Sequence, residues 1–355
     1  IQEVDAALTL LNGTGTIDAT SDPMFARDVN KWKQFGNTVK LKLVVRLSNC
    51  TDPAVIAYRD AALASLPTTA TSYLAADVTI QPGYNSGNAS QQNPLYRNYG
   101  LLNSTGTDYN DNYRLILATE HIIDDLGGYS PRTAGVMDTR INKMFLMNVW
   151  NQLEDAPVTP GYEDDYYGIP QGTISQSGIS LGDFAGLGTK QFAITNLSTG
   201  SSQAGIVMSN AEAQFLLAEA AVVYPAKFTG AQTYFNNGII ASFAFYGYSA
   251  AIANSYINQI NSKPNVGWNA TADKVAAIQY QKWIALTNIN PTETFIGYTK
   301  TGYPATPMPI GAPASRPTRL IYPQSEYVAN SGNVPSMVKS DAFSKTNSFA
   351  PFWLK

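Results

Sequence analysis

Apolar residues recur with helical spacing most clearly between Asp28 and Ser48. There Trp32, Phe35, Val39, Leu43 and Leu47 step by threes and fours, while Lys31, Lys33, Lys40, Lys42 and Arg46 fall largely elsewhere on the wheel. The pattern predicts a long amphipathic helix with an aromatic start. Before it, Val4 to Leu11 reads as the end of a helix closed by Asn12-Gly13, where glycine can take the left-handed conformation. After it, Pro53 to Leu66 gives a second helix. From Pro67 to Asn112 the periodicity dissolves into Gly, Asn, Ser, Thr, Pro and Tyr, a run too long for an ordinary connection and too rich in tyrosine to read as disordered. Helical spacing returns at Tyr113 to Leu126, closed by Gly127-Gly128, and around Thr139 to Gln152. It is lost again from Glu154 to Ser209, where the alternation Lys190 to Ile194 predicts a small strand. Ser209-Asn210-Ala211-Glu212 reads as a capping box opening a helix that runs to Pro225, and Thr229-Gly230-Ala231-Gln232 repeats the device. Further helices are predicted over Ala250 to Ile260 and from near Thr271, with linkers short enough to favour antiparallel neighbours. From Gly302 onward Pro304, Pro307, Pro309, Pro313, Pro317 and Pro323 exclude continuous helix and predict an extended, wrapped strap. No strand-helix alternation appears, so a parallel sheet has no support and the fold class is mainly α with a few short strands.

Composition narrows the chemistry. Of 355 residues, 44% are hydrophobic and only 14% charged, which describes a folded but weakly charged chain. The net charge of −3 gives no general basic field, so nucleic acid is not an expected partner. A single cysteine, Cys50, and a single histidine, His121, cannot build an internal disulfide or a cysteine- or histidine-based zinc centre. No uninterrupted apolar run is long enough to span a bilayer. Ile1 begins directly in helix-like sequence without a signal peptide, and position 1 reads as internal to a longer precursor.

Each catalytic motif meets an obstacle. Gly178-Ile179-Ser180-Leu181-Gly182 fits a nucleophile elbow, but His121 precedes the serine where that arrangement needs a histidine after it. Carboxylates cluster at Asp124-Asp125, Glu154-Asp155 and Glu163-Asp164-Asp165. A glycosidase would need two of them facing each other, whereas sequence neighbours mostly form solvated acidic surfaces. Asp108, Asn110 and Asn112 mimic the opening of a calcium loop, with Tyr113 and Thr119 where its glycine and glutamate belong. No nucleotide-binding glycine motif is complete, so neither a cofactor nor a metal is expected. Sequons occur at Asn49, Asn88, Asn103, Asn196 and Asn269, as chance provides in a chain rich in Asn, Ser and Thr. The remaining signal is aromatic surface in polar loops: flat apolar faces with a hydrogen-bonding tip suit sugar rings or peptide side chains. The candidate ligand-binding residues are Tyr96, Tyr99, Tyr109, Tyr162, Tyr166 and Tyr167.

Three blocks together resemble the SusD/RagB family of nutrient-binding outer-membrane lipoproteins of Bacteroidetes, in its SusD-like branch. Trp32 to Lys42 is similar to the family's Trp-x-x-Phe-x-Asn-x-Leu-x-Leu-Arg helix, and Ser209 to Ala220 to its serine-capped Glu-x-x-Phe-Leu-x-Ala-Glu-Ala helix. Arg316 to Tyr327, with Asn330 and Asn333, resembles its near-terminal Arg-Leu-x-Tyr-Pro-x-x-Glu-x-x-x-Asn strap, preceded by Gln281 to Leu286 and Thr301 to Pro304. Phe295, Tyr298, Thr299 and Lys300 stand where the family commonly has two tryptophans and two arginines, and Ser130-Pro131-Arg132 replaces Asp-Pro-Arg. The resemblance implies a SusD-like fold of tetratricopeptide-like helix pairs overlaid by long loops. It would form one domain, with scaffold at 1–66, 113–152 and 209–301, loops at 67–112 and 153–208, and a strap at 302–355. It implies capture of an oligosaccharide or peptide without chemistry, delivery to a SusC-like TonB-dependent transporter barrel, and a lipid anchor outside this chain, Cys50 reading as mid-helix. A glycoside hydrolase on a helical scaffold and a structural subunit of a surface complex are the alternatives.

Overall fold

Several helices in this chain, those capped by Asp28, Asp52, Ser209 and Ser249 among them, begin where a side-chain oxygen stands in for a missing backbone partner. The computed structural model describes residues 1–16, 18–154, 157–173 and 177–354. After α1 (Gln2–Leu10), Asp28 accepts the amides of Asn30 and Lys31 to open α2 (Val29–Arg46). Asp52 does the same at α3 (Pro53–Ser65), whose first residue is a proline that needs no amide partner there. Gly13 does not become left-handed: α1 ends on a right-handed Leu11, and the Gly13 amide donates to the Leu10 carbonyl at 3.0 Å. Cys50 lies between α2 and α3 rather than inside a helix, and it is buried.

The long irregular segment carries β1 (Val78–Ile80), α4 (Pro94–Tyr99) and α5 (Asp111–Arg114). The single helix expected from Tyr113 to Leu126 is instead split. Tyr113 is buried and donates its hydroxyl to the Leu187 carbonyl, and the Ala118 amide donates to Ala185, so the backbone between is claimed by another segment before α6 (Glu120–Gly127) begins. The helix expected from Thr139 to Gln152 is split likewise into α7 (Ile141–Met144), β2 (Phe145–Leu146) and α8 (Val149–Glu154), with Asn148 at φ 46° between them. Strand β2 pairs antiparallel with β3 (Gly186–Leu187), where a Cβ on Gly186 would stand 2.8 Å from Val149. Lys190 to Ile194 forms turns rather than the expected strand; β-structure here is β3 and, after α9 (Leu197–Ser202), β4 (Gly205–Met208), which pairs antiparallel with β1.

The C-terminal helices are α10 (Asn210–Val223), α11 (Ala231–Phe245), α12 (Ala250–Ile260), α13 (Lys274–Leu286) and α14 (Pro291–Thr301). Only half of the capping box forms. Ser209 Oγ accepts the Glu212 amide at 3.1 Å, but the Glu212 carboxylate turns to Lys42 Nζ at 2.6 Å. The device is not repeated at α11, whose cap is Gly230 at φ 80° with no side-chain bond. Helix α13 is capped by Asp273, slightly later than expected, and α14 is a further helix that the apolar spacing did not separate.

Helix α10 is the hub: it packs on α2, α11 and α13, with α12 beyond α11 and α14 beyond α13. Gly238 lets α11 approach it closely, since a Cβ there would meet the Phe215 ring at 2.6 Å. The main core joins α6 and α7 to α10–α13, and a second core joins α2, α3 and α10. Between α2, α10, α13 and α14 lies a buried ion network. Glu293 takes Lys282 at 3.1 Å, Lys42 at 2.9 Å and Arg46, and Glu219 takes Lys300 and the Gln279 amide at 2.8 Å. Burial alone would raise the Glu293 carboxyl, but Lys282, Lys42 and Arg46 outweigh it and hold it at about 2. The strap after Gly302 is mostly irregular, though not wholly extended, since α15 (Gln324–Ala329) interrupts it. Among the described residues no helix is long and apolar enough to cross a membrane.

Candidate functional site

Helix α6 and residues 162–168 face each other across a cavity of about 380 Å³ lined by Glu120, Asp124, Tyr129, Tyr162, Asp165, Tyr166 and Tyr167, and also by Ile179 and Phe184. The two walls are locked by backbone bonds. The Glu120 amide donates to the Ile169 carbonyl at 2.9 Å, the Ile169 amide to Ala118 at 2.8 Å, and the Ala185 amide to Tyr167 at 2.7 Å. Gly168 permits this approach, because a Cβ there would fall 2.4 Å from the backbone of Glu120. Gly128 at φ 79° ends α6 and turns the chain back, so that the Tyr129 amide donates to the Asp124 carbonyl and the ring reaches the cavity.

The tyrosines are fixed by their neighbours. Tyr162 and Tyr167 meet edge to face with ring centroids 4.4 Å apart, and Tyr166 leans on the main core while its hydroxyl donates to Asn142 at 3.1 Å. Tyr129 donates its hydroxyl to Asp165 Oδ2 at 2.5 Å, and that bond, with some burial, pushes the phenol up to about 12. Burial pushes Tyr166 to about 12 as well. Each of these two hydroxyls spends its one proton within the protein, on Asp165 and on Asn142, and keeps oxygen lone pairs that can accept. Burial and the charge of Glu120 raise the Asp124 carboxyl.

Three of the tyrosines singled out in the sequence, Tyr162, Tyr166 and Tyr167, thus share one cavity. Tyr96 does not join them. It is 0% exposed, donates its hydroxyl to the Ile194 carbonyl at 2.6 Å, and packs where Gly200 makes room for its ring, so it pins the loop instead of meeting a ligand. Tyr99 is 41% exposed on α4, and Tyr109 is half-buried beneath the Arg114 guanidinium at 5.9 Å; neither lines the cavity. Tyr129, 61% exposed, was missed; its signal was the Gly127-Gly128 stop immediately before it.

The remaining motifs have structural duties. Ser180 caps a short 3₁₀ turn, accepting the Gly182 amide while Asp183 accepts the Ser180 amide, so the elbow is a cap. Asn110 caps α5, and Asp108 accepts the Tyr109 amide. Asp125 lies on the buried face of α6, its Oδ1 3.3 Å from Arg132 Nε, while Asp155 lies outside the described residues. His121 stacks on Trp283 with centroids 5.4 Å apart, and burial, then Arg132 and Arg316, lower it to about 4, so it is neutral. A larger cavity of about 530 Å³ between α2, α3 and α14 is lined mostly by apolar side chains such as Leu43, Val55 and Ile296 and offers few polar groups to orient a ligand.

The comparisons agree on the fold. Among solved structures the chain is similar to a chitin-binding SusD homologue from Flavobacterium johnsoniae, with TM-score 0.65 and 20% identity over 100% of this chain and 71% of that one. It is similar to a SusD homologue from Bacteroides uniformis, with TM-score 0.63 and 23% identity over 94% of this chain and 66% of that one. A SusD homologue from Bacteroides fragilis gives TM-score 0.64 and 21% identity over 100% of this chain and 74% of that one. The chain thus spans between 66% and 74% of the length of these three relatives. No curated protein matches the sequence. The family model described as "SusD-like_2: Starch-binding associating with outer membrane" matches residues 1–323. With that match running through all the helices of the scaffold and into the strap, the chain belongs to the SusD-like family.

Proposed function

We propose that this chain captures an oligosaccharide at the outer face of a bacterial outer membrane, holding it in the cavity between α6 and residues 162–168, and passes it to a SusC-like TonB-dependent barrel. The observation that carries the reading is the cavity itself: four tyrosines converge on a space of about 380 Å³, two of them held in place by hydroxyl bonds to Asp165 and Asn142. Tyrosine faces stack on sugar rings and their hydroxyls orient ring substituents, at the entropy cost of only two side-chain torsions. The family's description as starch-binding and outer-membrane-associated supports an oligosaccharide over a peptide and a place at that membrane. A lipid anchor outside this chain would hold it there, in a bacterium of the Bacteroidetes. The role is binding without chemistry; the exposed ring of Tyr99 and the half-buried Tyr109 serve as outlying contacts.

Two measurements test the reading. Titration calorimetry against panels of oligosaccharides and peptides should give heat with a saccharide; silence across the saccharides from a folded protein overturns it. Gentle extraction of the native outer membrane followed by affinity capture should bring down a stoichiometric large β-barrel. Capture without one removes the transport half of the proposal.

A further inference from the structure

Both walls of the tyrosine cavity are tied to one short piece of the strap. On the α6 side, Tyr129 and Arg132 share a stiff turn. The Tyr129 and Ser130 amides both donate to the Asp124 carbonyl, Pro131 restricts the backbone, and the Thr133 amide closes on the Ser130 carbonyl at 3.1 Å. Arg132 leaves that turn in two directions: its Nε stands 3.3 Å from Oδ1 of the buried Asp125, and its Nη2 donates to the Ala305 carbonyl at 2.6 Å. On the opposite wall the chain runs from Gly168 to Gln171, whose carbonyl accepts the Ile310 amide at 2.9 Å. Gly172, at φ 95°, makes room for that bond, since a Cβ there would stand 2.7 Å from the Ile310 nitrogen. Between the two anchors the strap is held in shape. Pro307 and Pro309 fix two of its torsions, and Arg316 Nη2 donates to the Thr306 carbonyl at 3.0 Å and to the Pro307 carbonyl at 2.6 Å.

We propose that residues 305–310 are a spacer that sets the separation of the two cavity walls, and that Arg132 and Gly172 are positioning residues for ligand capture. This rests on the reading of the cavity as the saccharide site and goes further in naming what holds it in shape. Arg132, Gly172, Ala305 and Ile310 are not among the residues lining the cavity. They act through the segments they anchor, which carry Tyr129 on one side and Tyr166 and Tyr167 on the other. A guanidinium suits position 132 because its planar fork reaches a carboxylate and a carbonyl at once, whereas a lysine offers a single point charge. Two anchors in series give the tie a signature: releasing either end releases the whole, so damage at both ends should cost no more than damage at one.

The test joins calorimetry on the whole chain, with maltohexaose and the N-acetylglucosamine hexasaccharide as probes, to amide exchange read by mass spectrometry without ligand. The variants are Arg132→Lys, which keeps a charge beside Asp125, Gly172→Ala, and the two together, with Ile260→Val in the α12 core as a destabilised control. Each strap variant should lower affinity for the saccharide that binds by about fivefold, and the double variant by no more than about fivefold, while Ile260→Val leaves it unchanged. In the ligand-free chain Arg132→Lys should also speed exchange over residues 305–312, the distant Ile310 amide included, beyond the control. Unchanged affinity in the folded single variants, or losses that multiply in the double variant, would overturn the tie and leave saccharide capture standing. Silence from both saccharides in the unmodified chain would count against the parent reading alone. Exchange at Ile310 unmoved by Arg132→Lys would overturn the tie by itself, whether or not a saccharide binds.

Discussion

His121 shows how a residue rare enough to suggest catalysis is occupied by packing. It stacks on Trp283, and burial, with the positive charges of Arg132 and Arg316, lowers its folded pKa from 6.5 to about 4 although Asp125 Oδ2 stands 3.8 Å from its Nε2. The unfolded chain therefore binds a proton on this side chain between those values when the folded one does not, and stability must fall as pH drops from 6.5 to about 4. The full effect is about 3 kcal/mol. Urea denaturation of His121→Gln should show a shallower loss over that window; an unchanged slope would place the titration elsewhere. The tyrosines illustrate what residue type alone reveals. Tyr162, Tyr166 and Tyr167 were legible because several rings in one polar loop need a common surface. Tyr96 looked identical in sequence, and only the Gly200 backbone beneath its ring and the Ile194 carbonyl at its hydroxyl reveal it as buried.

Elements were legible where a cap and an apolar stripe agree, as in α2 with Asp28 and α12 with Ser249. They were not legible where a distant segment claims the backbone. Ala118 and Gly188 bond to partners far along the chain, and these bonds break two apparent helices into α5, α6, α7 and α8 with strand between them. Loss of periodicity over 67–112 and 153–208 was visible, but not that β4 returns to pair with β1 or that α6 is clamped to residue 169. Gly168 is the hinge of that clamp. Gly168→Ala places a methyl carbon against the Glu120 backbone and should destabilise the chain by about 1–3 kcal/mol, read from its thermal midpoint. It should also weaken ligand binding more than an equally destabilising change in α12. Equal effects on binding would detach the clamp from the site.

For the whole molecule, the family-like blocks and the ligand site do different work. Lys42 of the first block, Glu212 and Glu219 of the second, and Lys282 and Lys300 before the strap converge with Glu293 in one buried ion network. Lys300 keeps a positive charge where the family commonly has arginine. The blocks made the family legible because they build this shared scaffold, and for the same reason they are silent on the ligand, whose contacts come from loops. Glu293→Ala leaves Lys42, Arg46 and Lys282 without their common partner and should cost about 3–5 kcal/mol in denaturant unfolding. In the unmodified chain this carboxylate's contribution should fade as pH falls from 4.5 to about 2, because its folded pKa is depressed.

On this reading the tyrosine cavity, and not the larger apolar one, receives the saccharide. Calorimetry with one saccharide found to bind, run on the unmodified chain, on Tyr162→Ala with Tyr167→Ala, and on Tyr58→Ala, tests it directly. The double variant should weaken binding by about 1–3 kcal/mol with its fold intact, while Tyr58→Ala in the apolar cavity should change nothing. Undiminished affinity in the double variant, with loss in Tyr58→Ala, would contradict it.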